Sequence, residues 1–285
     1  MGHYLDFGAH PFAHRALFEQ VQAITQVPPL LEPYAEAWLE EAFSSGLGDA
    51  ERVGAPEGSL VHGRVEVYAE PGATFRPATL VGPTDGRVGR VFVGRGSLVL
   101  GAHLYVEEGD LWIGPENRIE PAVGLKGPTI LGRGNDVRQG AYFRGRVVIG
   151  DGGRYRCELK NVVCCDGVTL PHISYAGDSI FGYKAHFGNG ATAANVSLLQ
   201  RRPFRLTLDG EVYETSVDKL GIVLGDEAEL GCNAVAYPGT LVGPGTKVYA
   251  LTPLRNGVHA GGQVIKFGPG KHGLVESVPL RAHGR

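Results

Sequence analysis

The chain has 285 residues and a formal net charge of −3, which leaves no basic surface of the kind a nucleic acid requires. Its 44 glycines are about twice the usual share of roughly 7%, and their spread, mostly through residues 54–273, marks many turns instead of one linker. No apolar run approaches the roughly 18 residues of a membrane span and no signal peptide opens the chain, so a cytoplasmic protein is expected.

Residues 12–26, FAHRALFEQVQAITQ, place Leu17, Val21 and Ile24 on one helical stripe, and Pro28 and Pro29 are expected to stop that helix. A second amphipathic helix is expected around 33–45, with Tyr34, Trp38, Leu39 and Ala42 on its apolar side. Two helices of this size bury little alone. They are expected to form an N-terminal cap, residues 1–58, packed against the rest of the chain.

From about residue 59 onward the sequence has a period of six. Apolar residues recur at Ile113, Ile119, Leu125, Leu131, Val137, Phe143, Ile149 and Tyr155. A second series runs Val93, Val99, Tyr105, Leu111, and a third Leu224, Leu230, Ala236, Val242, Val248, Leu254. Neither a helix, at 3.6, nor a strand, at 2.0, gives that spacing. Hexapeptide repeats indicate short parallel strands stacked coil on coil, the aliphatic residue pointing into a dry core and glycine permitting the tight corner. The solenoid is expected over 59–268. Slips of phase near 111–113 and 156–180 suggest corner loops. Residues 196–220 interrupt the hexads: FRLTL and EVYET alternate around Asp209-Gly210, a hairpin signal, and predict an arm projecting from one corner. The tail, 269–285, has no period and is expected to be loosely ordered or a partner contact.

Four cysteines, Cys157, Cys164, Cys165 and Cys232, make no CxxC pair. They are expected to be small buried residues in a reducing compartment, and no resident metal is expected.

Five segments in a fixed order narrow the reading: RQGAYF at 138–143, CELKN at 157–161, PHISYAGD at 171–178, HFGNGATAAN at 186–195 and DKLGIVLGD at 218–226. With the hexapeptide period they make the chain resemble the left-handed β-helix acyltransferases. In particular it resembles the acetyltransferase domain of bifunctional glucosamine-1-phosphate acetyltransferase/N-acetylglucosamine-1-phosphate uridylyltransferase, over roughly residues 60–265. The helical start also resembles stand-alone proteins related to sugar-phosphate nucleotidylyltransferases. The left-handed coil comes from that resemblance, since ordinary crossovers favour the opposite hand. The resemblance implies an acetyl-CoA-dependent N-acetyltransferase for an amino-sugar phosphate, in nucleotide-sugar and cell-envelope precursor synthesis, working as a homotrimer.

It also implies roles. His172 takes the base position, where a neutral imidazole can remove a proton as an amine attacks a thioester; the bland alternative is a corner histidine. Asn195 contacts the sugar or positions the acceptor, or else is a turn asparagine. Arg138, Lys160 and Tyr175 match sugar-phosphate positions, where cations supply charge-assisted donors. Lys219 matches a lysine reaching back to the phosphate. Glu158 sits near the amine or holds Lys160, or equally is a surface ion-pair partner worth little, and Asp178 is assigned to fixing a corner through nearby backbone amides. The chain departs from the family at His186 (asparagine), Asn189 (alanine) and Val196 (tyrosine), so the sugar pocket, with His186 in it, is altered. Asn189, Cys232 and Ala250 are expected along the acetyl-CoA groove. Residues 1–60 hold no Gly-rich phosphate loop and cannot build a nucleotidylyltransferase domain. A zinc enzyme on this fold needs three suitably placed histidines, and His62, His103, His172 and His186 lack that spacing. The competing reading is a non-catalytic β-helix subunit related to sugar nucleotidylyltransferases.

Overall fold

The computed structural model describes residues 3–198, 203–208, 211–268 and 274–279. The chain divides into two compact units, one of residues 30–163 and one of residues 1–29 with 164–285. In each, the hexapeptide stretch forms a parallel β-helix of short stacked strands. Among the described residues no helix is long and apolar enough to cross a membrane.

In the unit of residues 30–163 the strands from Leu111 to Tyr155 stack in register eighteen residues apart, which is three hexads per coil. Gly124 pairs with Tyr142, Thr129 with Val147 and Asp136 with Arg154, one pair on each of three faces. Leu125, Leu131, Val137, Phe143, Ile149 and Tyr155 are fully buried, so the predicted inward positions are the core. The second series needs one correction: Tyr105 is half-exposed and Leu104 takes the inward place, paired with Leu125. Buried asparagines close one corner. Asn117 donates to the carbonyls of Gly114 and Gly132, and its Oδ1 accepts from the Asn135 amide at 2.8 Å. The Asn135 Oδ1 accepts in turn from Gly153 N at 2.8 Å. This ladder satisfies turn carbonyls that the dry core would otherwise leave unpaired.

The slip expected at 156–180 does not produce loops. Two seven-residue strands, Glu158–Cys164 and Tyr175–Phe181, each turn a corner without interruption. A single residue in the left-handed region makes each bend, Asn161 at φ 57° and Asp178 at φ 46°. Asn and Asp tolerate that conformation better than other non-glycine residues.

The helical start also differs from expectation. Only Ala16–Glu19 is α-helical within 12–26, followed by a 3-10 turn at Ile24–Gln26. Pro28 and Pro29 open the long helix Val27–Ser45 instead of ending one. A first-turn proline loses no hydrogen bond, because those N–H groups have no partner within the helix. The buried stripe of that helix is Leu31, Ala35, Leu39 and Phe43, with Tyr34, Trp38 and Ala42 on its flank. Within the same unit, Trp38 and Phe43 meet Trp112 edge-on, and Trp112 stacks on Phe92 at 3.7 Å.

In the other unit Ile222–Leu224, Thr240–Val242 and Gly257–His259 stack in parallel, over buried Leu224, Leu230, Ala236, Val242 and Leu254. Thr192 pairs directly with Val235, so the coil closes across the inserted arm. The arm is an antiparallel pair, Arg205–Leu208 with Glu211–Glu214; its expected turn, Asp209-Gly210, lies outside the described residues. At its base Phe204 is buried and lies over Gly239, where a Cβ would meet its ring at 3.0 Å. From the aperiodic tail, Leu274–Pro279 pairs antiparallel with Gln263–Gly268. Near the start of the chain the Asp226 carboxylate accepts from the amides of Asp6, at 2.7 Å, and Tyr183, at 2.8 Å. His10 stacks on the Tyr183 ring at 3.8 Å.

Candidate functional site

The candidate residues fall in both units. His172, Tyr175, His186, Asn189, Asn195, Lys219, Cys232 and Ala250 lie in one; Arg138, Glu158 and Lys160 lie in the other.

In the first of these units the chain turns at Pro171–Ile173. His172 is exposed, and its carbonyl accepts from Ser174 Oγ at 3.2 Å. The strand Tyr175–Phe181 then starts across a face shared with Thr192 and Val235. Tyr175 donates its hydroxyl to Asn195 Oδ1 at 3.3 Å. The other end of that amide donates to the Asp178 carboxylate. Asp178 thus holds its corner through the side chain of Asn195, while its own carbonyl accepts from Gly221 N at 2.9 Å. Gly177 is required beneath the pair: a Cβ there would meet the Tyr175 hydroxyl at 2.5 Å and Asn195 Nδ2 at 2.6 Å. The Asn195 carbonyl accepts from Leu220 N at 3.0 Å, and Val196 bridges Lys219 antiparallel. The end of the inserted arm therefore returns Lys219, exposed, beside Asn195.

His186 sits on the adjoining face, in register with Thr169 on one side and Glu229 on the other. Its Nδ1 is 2.8 Å from Thr169 Oγ1. Burial pushes its pKa below the ordinary 6.5, and the Glu229 carboxylate pulls the other way. A histidine whose folded pKa is depressed binds its proton more readily in the unfolded chain, so its contribution is neutral above about pH 6.5 and becomes destabilising as pH falls through that value. Replacing His186 by asparagine is expected to reduce the loss of melting temperature between pH 7 and pH 5. An unchanged acid limb in a thermal melt series excludes His186 as its source.

Asn189, Cys232 and Ala250 occupy one corner in successive coils. Asn233 N donates to Asn189 O at 2.8 Å and Leu251 N to Cys232 O at 2.9 Å. All three side chains are exposed. Cys157, Cys164 and Cys165 are buried as expected, whereas Cys232 is not; burial pushes the Cys157 and Cys165 thiols up and keeps them protonated.

In the other unit Arg138 bonds Asp136 through Nε at 2.9 Å. Glu158 pairs with Arg144 at 2.7 Å, not with Lys160 as one expectation had it, because Tyr142–Arg144 is its hydrogen-bonded neighbour strand. Lys160 lies near Glu108, whose carboxyl is held below its ordinary range chiefly by a hydrogen bond from Lys126. Among the described residues no group of three His, Cys, Asp or Glu is placed to hold a metal ion. Sequence reasoning missed Thr169, which fixes the His186 ring, and Gly177. The Gly177 signal was present, a glycine between Tyr175 and Asp178, but its meaning depends on Asn195 folding over it.

No protein-family model matches the chain. It is 25% identical over 220 residues to the bifunctional protein GlmU of Desulfitobacterium hafniense, covering 76% of this chain and 43% of that protein. The chain resembles hexapeptide-repeat acyltransferases of the GlmU type. GlmU of Methanocaldococcus jannaschii is 34% identical over 86 residues, 30% of this chain and 21% of that one. A bifunctional sugar-1-phosphate nucleotidylyltransferase/acetyltransferase of Sulfurisphaera tokodaii is 29% identical over 92 residues, 32% of this chain and 23% of that one. The chain thus spans from about a fifth to under half the length of these curated relatives. Among solved structures, that of the polysialic acid O-acetyltransferase OatWY superposes with a TM-score of 0.31 at 14% identity, over 80% of this chain and 90% of that one.

Proposed function

We propose that the protein is an acyltransferase that moves an acetyl group from acetyl-CoA to the amine of an amino-sugar phosphate. The observation that carries the proposal is the meeting of three separated segments in one unit: Tyr175 bonded to Asn195, Asn195 to Asp178, and Lys219 returned beside Asn195 by the arm. His172 lies exposed three residues before Tyr175, on the turn that leads into its strand. In this reading His172 removes the ammonium-derived proton as the amine nitrogen bonds the acetyl carbon. The carbon–sulfur bond breaks, and the thiolate of coenzyme A leaves and takes up a proton. Asn195, its amide locked by Tyr175 and Asp178, holds the acceptor, and His186 shapes its pocket. Lys219 neutralises the phosphate; Arg138, Glu158 and Lys160 are read as substrate-binding residues of their own unit. The exposed corner of Asn189, Cys232 and Ala250, repeating at about 4.8 Å per coil, suits a long donor lying along the stack.

The reading includes a cytoplasmic homotrimer; light scattering at micromolar concentration tests the assembly, and a monomer counts against it. The function is tested by thiol release from acetyl-CoA against a panel of amino-sugar 1-phosphates. Saturable release with one acceptor is expected, with Arg138→Ala and Lys160→Ala raising KM for that acceptor more than they lower kcat. No release above background with any acceptor leaves the non-catalytic scaffold, which the replacements at His186, Asn189 and Val196 would then explain.

A further inference from the structure

One outward face of the unit of residues 30–163 carries a pattern that the acyl-transfer reading uses only at Glu158 and Lys160. Gly124 pairs with His103 on one side and Tyr142 on the other, and Tyr142 pairs with Glu158. The Tyr142 ring lies across Gly124, where a Cβ would meet its Cδ2 at 2.9 Å. Covering a strand glycine with a neighbour's ring protects its backbone, and it leaves Tyr142 41% exposed, as a flat platform on a rigid sheet. Two residues further along the same strands Lys126 pairs with Arg144. The alignment of Tyr142–Phe143 with Glu158–Leu159, carried one residue on, sets Arg144 beside Lys160. Three cations thus stand in register on three coils, about 4.8 Å apart and about 6.6 Å along the strands from the aromatic platform.

The cations are held by exchangeable partners. Lys126 pairs with Glu108 at 2.6 Å and Arg144 with Glu158 at 2.7 Å, and three of the four side chains are more than a third exposed. Ion pairs this open contribute little, whereas phosphate oxygens take stronger charge-assisted bonds from the same groups. The ladder is longer than one phosphate needs and suits two in succession, and a planar ring tethered to them reaches Tyr142.

We propose that this face binds a nucleoside diphosphate carried by the acceptor, its base stacked on Tyr142 and its phosphates on Lys126, Arg144 and Lys160. The proposal rests on the reading that Glu158 and Lys160 contact the acceptor, since both stand on this face. The ADP portion of the acyl donor is the other possible source of the same chemistry. The acceptor is favoured because Glu158 and Lys160, the residues of this face with an assigned role, are read as substrate-binding.

Calorimetric titration of the full chain with UDP, ADP, inorganic pyrophosphate and coenzyme A tests it. UDP and ADP are expected to bind alike and more tightly than pyrophosphate. Tyr142→Leu keeps an apolar cover on Gly124 without a π-face; it is expected to weaken both nucleotides by roughly five- to a hundredfold and to leave pyrophosphate and coenzyme A unchanged. Tyr142→Phe is expected to bind as wild type, and Lys126→Gln to weaken UDP, ADP and pyrophosphate together. UDP binding unaltered by Tyr142→Leu overturns the proposal. So does a loss of coenzyme A affinity in that variant, which assigns the face to the donor, or a changed oligomeric mass with unaltered UDP binding, which assigns it to a second copy. Thiol release from an amino-sugar monophosphate without UDP binding sinks this inference alone; UDP binding without thiol release toward any acceptor sinks the acyl-transfer reading alone.

Discussion

Replacing His172 by alanine is expected to lower kcat by roughly 10²–10⁴, the usual worth of a positioned general base, while leaving acetyl-CoA binding nearly intact. The selectivity stems from geometry. His172 is exposed at its turn, and its backbone carbonyl is engaged by Ser174 Oγ. Losing the exposed ring therefore removes no packing from the core, and the variant should melt close to wild type. The corner proposed for the donor is formed by other coils of the unit, through backbone bonds from Asn233 to Asn189 and from Leu251 to Cys232, which the substitution does not touch. Single-turnover measurements at saturating acetyl-CoA separate the chemical step from binding. Equal rates for wild type and His172→Ala, with an active acceptor in hand, remove His172 from the chemistry and shift the base role to another group. Asn195→Ala is a useful companion: it also breaks the bonds to Tyr175 and Asp178, so its loss of rate should come with a lower melting temperature.

The solenoid is legible in the sequence because a period of six is a long-range pattern that few structures produce. Inward positions such as Leu131, Phe143 and Leu230 come directly from counting. The count fails where a coil is uneven, at Tyr105, because a single-residue slip exchanges the inward and outward sets. The prolines at 28 and 29 mislead because their effect depends on where a helix begins: they are breakers within one and harmless in its first turn. Corners at Asn161 and Asp178 read as loops because a strand that bends through one left-handed residue has no sequence mark beyond that Asn or Asp. For the site, the family resemblance points to Tyr175 and Asn195 but not to their bond. That bond depends on stacking two coils and on the space over Gly177, which only a folded chain defines. Lys219 shows the same limit: its return beside Asn195 depends on how the arm rejoins the coil.

Phe143→Ala is expected to be the most damaging single change to stability, at about 3–5 kcal/mol, the usual cost of deleting a fully buried aromatic ring. Phe143 is fully buried and meets the Tyr155 ring edge-on at 5.9 Å between centroids. Its strand neighbours Leu125 and Leu159, paired with it on either side, are also fully buried. A coil whose strands are only two or three residues long has few ways to collapse onto a void, because its backbone is pinned by the coils above and below. The adjacent Tyr142 is the control. It points outward and is 41% exposed, so Tyr142→Ala should cost well under half as much, mainly by uncovering Gly124. Chemical denaturation of the two variants checks both the inward phase of the hexads and the size of the effect. Comparable losses at 142 and 143 would contradict the alternation of faces on which the coil, and with it the outward placement of Glu158, Lys126 and Arg144, depends. A large loss at 143 with a small one at 142 supports the whole register, since parallel strands stacked eighteen residues apart carry the inward phase of one coil into the next.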